Sequence, residues 1–389
     1  MATLDDLRAA LAGHTVVDLT AAPPSRADRA VPPTGDREPT GDREPTGDRE
    51  WERHAALAVP TSGSTGEAKA VLLSADALRA SAELTHRRLG GPGTWLLALP
   101  TTHIAGVQVL VRSLVAGTEP GVMDLSPGFR ATGFAAAARP VLAVPGRHYT
   151  ALVPTQLARL VAADGPGLAA LRRFDAVLIG GAATPPSLLA RARGLGVNVV
   201  TTYGMSETAG GCVYDGVPLG GVRVRLDGGR VELAGPVLAL GYRGGERFGE
   251  WFRTGDLGRL GPDGALEVLG RADDVIVTGG EKVPPVLVER VLTAQPGVLE
   301  VCVVGLPHPE WGQVVAAAVV PADPAAPPDP DGLREAVRAA VGRSAAPKSV
   351  AFLPRLPLRG PGKVDRTAVA TALATALTTT PATAHHPQP

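Results

Sequence analysis

Cysteine is almost absent: the 389 residues hold two, Cys212 and Cys302, far apart in the chain. That excludes a disulfide framework and a Cys-based zinc site, and makes the reducing cytoplasm the expected compartment. Neither sign of charge is in excess, with 38 Lys plus Arg against 38 Asp plus Glu. A chain that lives on nucleic acid carries a basic surplus, so nucleic acid is not an expected partner. No apolar run reaches ~18 residues, so no spanning helix or stable membrane insertion is expected. Met1 to Gly13 carries acids and lacks an apolar stretch, so it is not read as a secretory signal. What the chain does have is 44% hydrophobic and 20% charged residues, the composition of a globular protein with a sizeable core. Its length is that of about two to three domains.

The 48 glycines and 37 prolines are many, and part of them fall in one place. From Pro33 to Glu50 the hexapeptide PTGDRE runs three times in tandem. It has nothing apolar to bury beyond its prolines, so residues 33–50 are expected to be a disordered surface insertion. The Thr-, Pro-, Ala- and His-rich end, 377–389, is expected to be a disordered tail. Between them, short apolar runs such as Trp95–Pro100, Asp175–Ile179 and Asn198–Thr202 alternate with helical spacing over His103–Ala116. That rhythm predicts a largely parallel, doubly wound sheet with ligands beyond the carboxyl ends of its strands. From Gly216 to Leu269, short alternating segments separated by Asp-Gly turns predict a small antiparallel β unit. A new α/β rhythm follows Arg271, with a helix over Val286–Leu292, a strand over Leu299–Val304 and a helix over Gly332–Val341. The domain boundary is placed near Gly270–Asp274.

Four segments carry chemistry. Thr61-Ser62-Gly63-Ser64-Thr65-Gly66-Glu67-Ala68-Lys69 packs hydroxyls, glycines and one lysine after an apolar run. Glycines let successive N–H groups turn toward an anion, and Lys69 adds charge. It is not a Walker A loop, which needs Gly-Lys-Ser/Thr. By itself it suits either phosphate or a plain surface loop. Tyr203-Gly204-Met205-Ser206-Glu207-Thr208, placed directly after a strand, offers an aromatic for a purine, a hydroxyl for phosphate and a carboxylate for Mg²⁺. Arg253-Thr254-Gly255-Asp256-Leu257-Gly258, read as a tight turn, offers a carboxylate to a ribose diol; Gly270-Arg271-Ala272-Asp273-Asp274 follows. Gly362-Lys363-Val364-Asp365-Arg366 lies near the C-terminus. Each of the last three alone suits an ordinary turn as well.

Together and in this order, the four resemble the signature set of the adenylate-forming superfamily: acyl-CoA synthetases, peptide-synthetase adenylation domains and luciferases. The resemblance runs from Leu57 to Val369. It implies an α/β fold: a large N-terminal domain (1–271) with mostly parallel sheets and a small antiparallel β unit, then a small mobile α+β lid (272–376). It implies ATP, Mg²⁺ and CoA, with Thr61, Ser62, Gly63, Ser64, Thr65, Gly66 and Lys69 as the phosphate loop. Gly180-Gly181-Ala182-Ala183 is similar to the adenine-side turn, giving Gly181 and Ala182 with Tyr203 and Gly204 to the nucleotide. The resemblance makes Ser206, Glu207 and Lys363 catalytic, with Glu207 on Mg²⁺ and Asp256 and Arg271 at the ribose. It makes Asp273 the hinge and puts Gly280 on the path of the CoA arm. Departures are Ala68 and Ala70 around the loop lysine, and Leu287 for the first Glu of a Pro-Ala-Glu-Ile-Glu run on a presumed surface helix, where Glu289 keeps the second. The segment before the phosphate loop is also short.

That brevity and the run Leu99-Pro100-Thr101-Thr102-His103-Ile104-Ala105-Gly106-Val107-Gln108-Val109-Leu110-Val111-Arg112 resemble the o-succinylbenzoate–CoA ligase branch of menaquinone biosynthesis. Helical spacing puts Ala105, Gln108 and Arg112 on one face. Arg112 suits the second carboxylate of a diacid, and equally a guanidinium snorkelling from a surface helix. His103 suits either the acyl pocket or the core. The expected partner is a small aromatic or acyl carboxylate. Three rivals remain: another aryl- or fatty-acyl-CoA ligase, a stand-alone amino-acid adenylation domain, and a degenerate nucleotide-binding relative. Residues 100–116 hold no acid to pair an amine, and Lys363, Glu207 and Asp256 are all present.

Overall fold

The computed structural model describes residues 1–20, 47–61, 69–359 and 363–379. Helix α1 (Leu4–Leu11) opens the chain and is closed at its start by a capping box between Thr3 and Asp6. Strand β1 (Val17–Asp18) follows, then a 3-10 helix over Gly47–His54, then β2 (Ala55–Pro60) and β3 (Ala70–Ser74). Residues 47–50, taken as the end of a disordered repeat, therefore begin an ordered element. The rest of the repeat up to Thr46 lies outside the described residues.

Ser74 caps α2 (Ala75–Leu89) by accepting from Ala77 N at 3.1 Å, and Gly90 ends it in the left-handed region at φ 89°. Then come β4 (Thr94–Leu97), α3 (Ile104–Ala116), β5 (Gly121–Val122), α4 (Ala131–Val141), β6 (His148–Leu152), α5 (Pro154–Ala163), α6 (Pro166–Leu171), β7 (Ala176–Ile179), α7 (Pro186–Gly194), β8 (Val199–Met205), β9 (Gly210–Tyr214) and β10 (Val217–Pro218). Strands β5, β4, β6, β7 and β8 run parallel in that spatial order, and β9 and β10 add antiparallel at one edge.

Side chains of a strand alternate between faces, so one sheet serves two cores. Trp95, Leu97, Tyr149, Ala151, Ala176 and Leu178 join the core that contains α2 and α3. Leu96, Leu152, Val177 and Ile179 join the opposite core, with Phe134 of α4 and Leu157 and Leu160 of α5. Helices cover both faces, which is the doubly wound arrangement the sequence predicts.

The antiparallel unit is β11 (Arg223–Asp227), β12 (Arg230–Ala234), β14 (Trp251–Leu260) and β15 (Leu266–Arg271), paired in that order. The short β13 (Gly241–Tyr242) leaves it and pairs with β3, completing a four-stranded sheet β1-β2-β3-β13. The Arg253–Gly258 motif is not a tight turn: it lies inside β14, where the ladder is irregular between Leu257 and Gly258. Likewise Tyr203, Gly204 and Met205 are not beyond a strand but form the end of β8, and Ser206–Thr208 is a single 3-10 turn.

The smaller C-terminal domain follows β15. It holds β16 (Ile276–Thr278), β17 (Glu281–Val283), α8 (Pro285–Thr293), β18 (Val298–His308), β19 (Gly312–Pro321), α9 (Pro330–Ala340), β20 (Ser349–Phe352), a hairpin of β21 (Leu358–Arg359) and β22 (Lys363–Val364), and α10 (Arg366–Thr379). Val288, Leu292, Leu333 and Val337 of α8 and α9 pack on one sheet face, and Val369 and Leu373 of α10 on the other. Helix α10 runs through residue 379, so the expected tail begins later than 377; residues 380–389 lie outside the described residues.

Candidate active site

Strands β2 and β3 form an antiparallel hairpin that frames the phosphate-loop motif. Thr61 N donates to Lys69 O at 2.8 Å, and Thr61 Oγ1 donates to the same oxygen at 3.1 Å, closing the base of the loop. Ser62, Gly63, Ser64, Thr65 and Gly66 lie outside the described residues. Lys69 Nζ sits 5.1 Å from the ring centroid of Tyr242, and the Tyr242 hydroxyl donates to Glu207 Oε1 at 2.8 Å. Burial and the neighbouring Glu207 carboxylate both push the Tyr242 phenol up. Two backbone bonds fix this junction: Ala239 N donates to Glu207 O at 2.9 Å, and Arg243 N donates to Ala70 O at 2.8 Å. Sequence reasoning missed Tyr242. Its only signal was a Gly-Tyr pair in a strand of two residues, whose partner β3 lies far earlier in the chain.

The second cluster sits at the carboxyl ends of β7 and β8. A Cβ on Gly180 would stand 2.3 Å from Thr202 Oγ1, so only glycine lets the end of β7 lie against β8; Gly181 follows at φ 80°, with Ala182 beside it in the same turn. Gly204 meets β9 as closely, its Cβ position being 2.1 Å from Gly210 O. The Tyr203 hydroxyl donates to Asp256 Oδ2 at 2.8 Å. Burial, then the Asp256 charge, raises the Tyr203 phenol, so it stays a donor. Asp256 and Arg271 are cross-strand partners on β14 and β15, with Arg271 Nη1 3.5 Å from Asp256 Oδ1. A Cβ on Gly255 would fall 2.5 Å from Arg271 Nη2, so the glycine makes room for the guanidinium. Arg271 Nη2 also lies 3.6 Å from Asp273 Oδ2. Thus Tyr203, Asp256, Arg271 and Asp273 form one chain of contacts, while Ser206 and Glu207 stand at the end of the same strand.

The third cluster is buried under α3. Gln108 is fully buried and Arg112 is 3% exposed, so the guanidinium does not snorkel to the surface; Ala105, on the open first turn, is exposed. Arg112 stacks 5.0 Å from the Trp95 ring centroid and donates from Nη2 to the Tyr214 hydroxyl at 3.4 Å. Tyr214 in turn shares a hydrogen bond of 2.9 Å with Thr85 Oγ1. Arg112 Nε and Gln108 Oε1 have no hydrogen-bond partner, and no carboxylate pairs with Arg112 among the described residues. Gln108 Cγ stands 3.3 Å from where a Cβ of Gly210 would be, which puts α3 directly against the turn after Glu207. His86 accepts from Trp95 Nε1 at 3.4 Å, and burial together with the Arg112 charge lowers it to about 4, so it is neutral. His103 caps α3 from an exposed position without a side-chain cap bond.

In the C-terminal domain Gly279 and Gly280 form the β16–β17 turn at φ 57° and 84°, a conformation that favours glycine. The space beside Gly280 is open. Lys363 is in β22, opposite Arg359 of β21, and Asp365 N donates to Pro357 O at 2.9 Å. Helix α8 is not a plain surface helix: Pro285, Val288 and Leu292 are buried, and Glu289 bonds Arg366 and Val303 N.

A single carboxylate at Glu207 is a poor resident metal site, and no group of three His, Cys, Asp or Glu that could hold an ion occurs among the described residues. It does suit Mg²⁺ arriving with a polyphosphate, since that ion keeps waters and takes one or two carboxylates plus substrate oxygens.

Comparison with known proteins agrees with this layout. Residues 2–240 match the AMP-binding enzyme family, and residues 287–363 match the AMP-binding enzyme C-terminal domain. A probable 2-succinylbenzoate–CoA ligase of Mycobacterium tuberculosis is 49% identical over 327 residues, covering 82% of this chain and 85% of that one. A feruloyl-CoA synthase of an Amycolatopsis species is 33% identical over 344 residues, covering 79% and 68%. The structure of Bacillus subtilis o-succinylbenzoate CoA synthetase with its acyl-adenylate intermediate superposes with a TM-score of 0.69 at 28% identity, covering 81% of this chain and 69% of that one. With a family match over more than half its length and a relative of near-half identity across most of it, the chain belongs to the AMP-binding enzyme family.

Proposed function

We propose that the protein is an ATP-dependent carboxylate–CoA ligase that works through an acyl-adenylate and takes o-succinylbenzoate. In the first step a carboxylate oxygen attacks the α-phosphorus of ATP and pyrophosphate leaves. In the second the CoA thiol attacks the acyl carbon and AMP leaves. The first step needs positioning and charge neutralisation more than covalent help.

The residues divide that work. Asp256, held between Tyr203 and Arg271, accepts from the ribose hydroxyls, and the Tyr203 ring with the Gly180–Ala183 turn frames the adenine. The hairpin that ends in Thr61 and Lys69 holds the β- and γ-phosphates with residues 62–66. Glu207, whose carboxylate accepts from the Tyr242 hydroxyl, would hold Mg²⁺ arriving with ATP, and the ion would screen the phosphate charge. Ser206 donates to the phosphate end. Lys363 places its charge on the α-phosphate during adenylation. Asp273 is the hinge between a domain ending at 271 and a lid from 272 to 376, and the Gly280 turn borders the CoA arm. His103 and Gln108 line the acyl side.

One observation carries the choice of acid. Arg112 is a buried cation with an unpaired nitrogen and, among the described residues, no carboxylate beside it, next to an equally unpaired Gln108 oxygen. A buried charge without a counter-ion is costly, and a substrate carrying a second carboxylate would supply one. The cytoplasm is the compartment this reading assigns; no helix among the described residues is long and apolar enough to cross a membrane. Pyrophosphate release over a panel of acids tests the reading. The diacid o-succinylbenzoate is expected to have the highest kcat/KM. Preference for a cinnamate-type mono-acid such as ferulate would retain the ligase and discard the substrate.

A further inference from the structure

The two aspartates at the domain junction are adjacent in sequence but serve different bodies. Asp273 reaches back to Arg271, and through it to Asp256 at the nucleotide end. Asp274 reaches forward: its Oδ2 lies 3.3 Å from Arg366 Nε. Arg366 begins α10 directly after the β21–β22 hairpin that carries Lys363. Its other nitrogens are clamped inside the lid. Nη1 and Nη2 donate to the two oxygens of Glu289 at 2.8 and 3.1 Å, and Nη1 donates to Val303 O at 2.6 Å. Glu289 Oε1 also accepts from Val303 N at 2.9 Å, which fixes its rotamer. Burial opposes the Arg366 charge, but Glu289 and Asp274 outweigh it and keep the guanidinium protonated. The planar fork of an arginine suits this double grip as a lysine would not.

We propose that Arg366 is a positioning residue for adenylation: held by Glu289 in the lid body, it ties the Lys363 hairpin to Asp274, so the hairpin turns as one unit with the hinge. Between the two pairings lies the junction itself, where Asp274 N donates to Arg271 O and Val275 N donates to Ala272 O, each at 3.3 Å. The proposal rests on the assignment of Lys363 to the adenylation step, and it names what aims that lysine.

The experiment measures both half-reactions in the full chain: pyrophosphate release for adenylation, and thioester formation from supplied acyl-adenylate. Lys363→Ala is the reference. If it retains adenylation, the lysine assignment itself falls, whatever Asp274 does. Asp274→Asn keeps the Glu289 clamp and so the lid fold. It is expected to lower the adenylation kcat about tenfold, equivalent to ~1.4 kcal/mol, with the KM for ATP moved less than about twofold. Thioester formation and the melting temperature should hold, Asp274→Glu should restore most of the rate, and Asp274→Asn should cost nothing more on top of Lys363→Ala. Arg366→Lys should reproduce the adenylation defect if it folds. Equal losses in the two half-reactions, an additive double mutant, or an unchanged adenylation rate in Asp274→Asn beside an inactive Lys363→Ala would each overturn the proposal.

Discussion

On the proposed reading Arg112, lodged among Trp95, Tyr214 and Gln108, is the group that selects the substrate. A buried hydrogen-bonded charge pair that loses one partner costs ~2–5 kcal/mol, roughly thirty- to several-thousand-fold in kcat/KM. Arg112→Leu is therefore expected to lower kcat/KM for o-succinylbenzoate within that range, while a mono-acid analogue suffers far less and the KM for ATP stays put. Steady-state kinetics on the two acids checks this. Equal loss on both would make Arg112 a purely structural cation. Its neighbour His86 predicts a pH effect on stability. The imidazole is lowered to about 4 by burial and by Arg112, against an unfolded value of 6.5. Between those values the unfolded chain binds more protons than the folded one, so stability rises with pH across that window and is progressively lost on acidification. The shift is worth about 3 kcal/mol. Urea unfolding of the wild type is expected to weaken from pH 7.5 to pH 4.5 by more than that of His86→Gln, which no longer has the group to protonate. Parallel slopes in the two proteins would refute this.

At the scale of elements, what could be read from the chain was what local pattern specifies. Three of the parallel strands show because β4 and β7 are short apolar runs buried along their length and β8 opens on the buried Val199 and Val200, and α3 shows because its apolar spacing is continuous. The motif residues were identifiable as a set, since glycine, hydroxyl and carboxylate positions recur in order. Their setting was misread where glycine was taken as a turn signal. Gly255 and Gly258 lie within β14; Gly255 clears Arg271, and Gly258 leaves a gap that a Cβ would close to 2.7 Å from Val231. Tyr242 was invisible because its element is two residues long and pairs with a strand far earlier in the sequence. Strand β13 nonetheless joins the loop lysine, Glu207 and the β2–β3 hairpin in one place. Tyr242→Phe removes only the hydroxyl that steadies Glu207, a hydrogen bond to a carboxylate in a half-buried setting worth ~1 kcal/mol. The expected outcome is an adenylation rate lowered about fivefold, with thioester formation from supplied adenylate unchanged and the ring packing on Phe248 intact. An unaltered adenylation rate would leave Tyr242 as packing alone.

At the scale of the whole molecule, the 3-10 helix at Gly47–His54 packs against the β1-β2-β3-β13 sheet. Trp51 packs with Ala55, Ala58, Leu72 and Leu240, and a Cβ on Gly241 would strike its ring at 2.7 Å. Glu52 Oε1 accepts from Gly244 N at 3.1 Å, fastening the turn after β13. The strand that carries Tyr242 is thus held from behind by residues at the repeat's downstream edge. Two deletions separate the repeat from its anchor. Removing 33–46 takes away hexapeptide sequence with no apolar residue but proline, and is expected to leave the melting temperature and adenylation near wild type. Extending the deletion through His54 removes Trp51. Loss of a fully buried Trp costs ~3–5 kcal/mol, and this half-buried one about half as much. The longer deletion should therefore melt several degrees lower in a chain of this length and lose adenylation before thioester formation, because β13 and Tyr242 lose their backing. Calorimetry and the two half-reaction assays decide it. A shorter deletion as damaging as the longer one would mean that the repeat itself docks on the body.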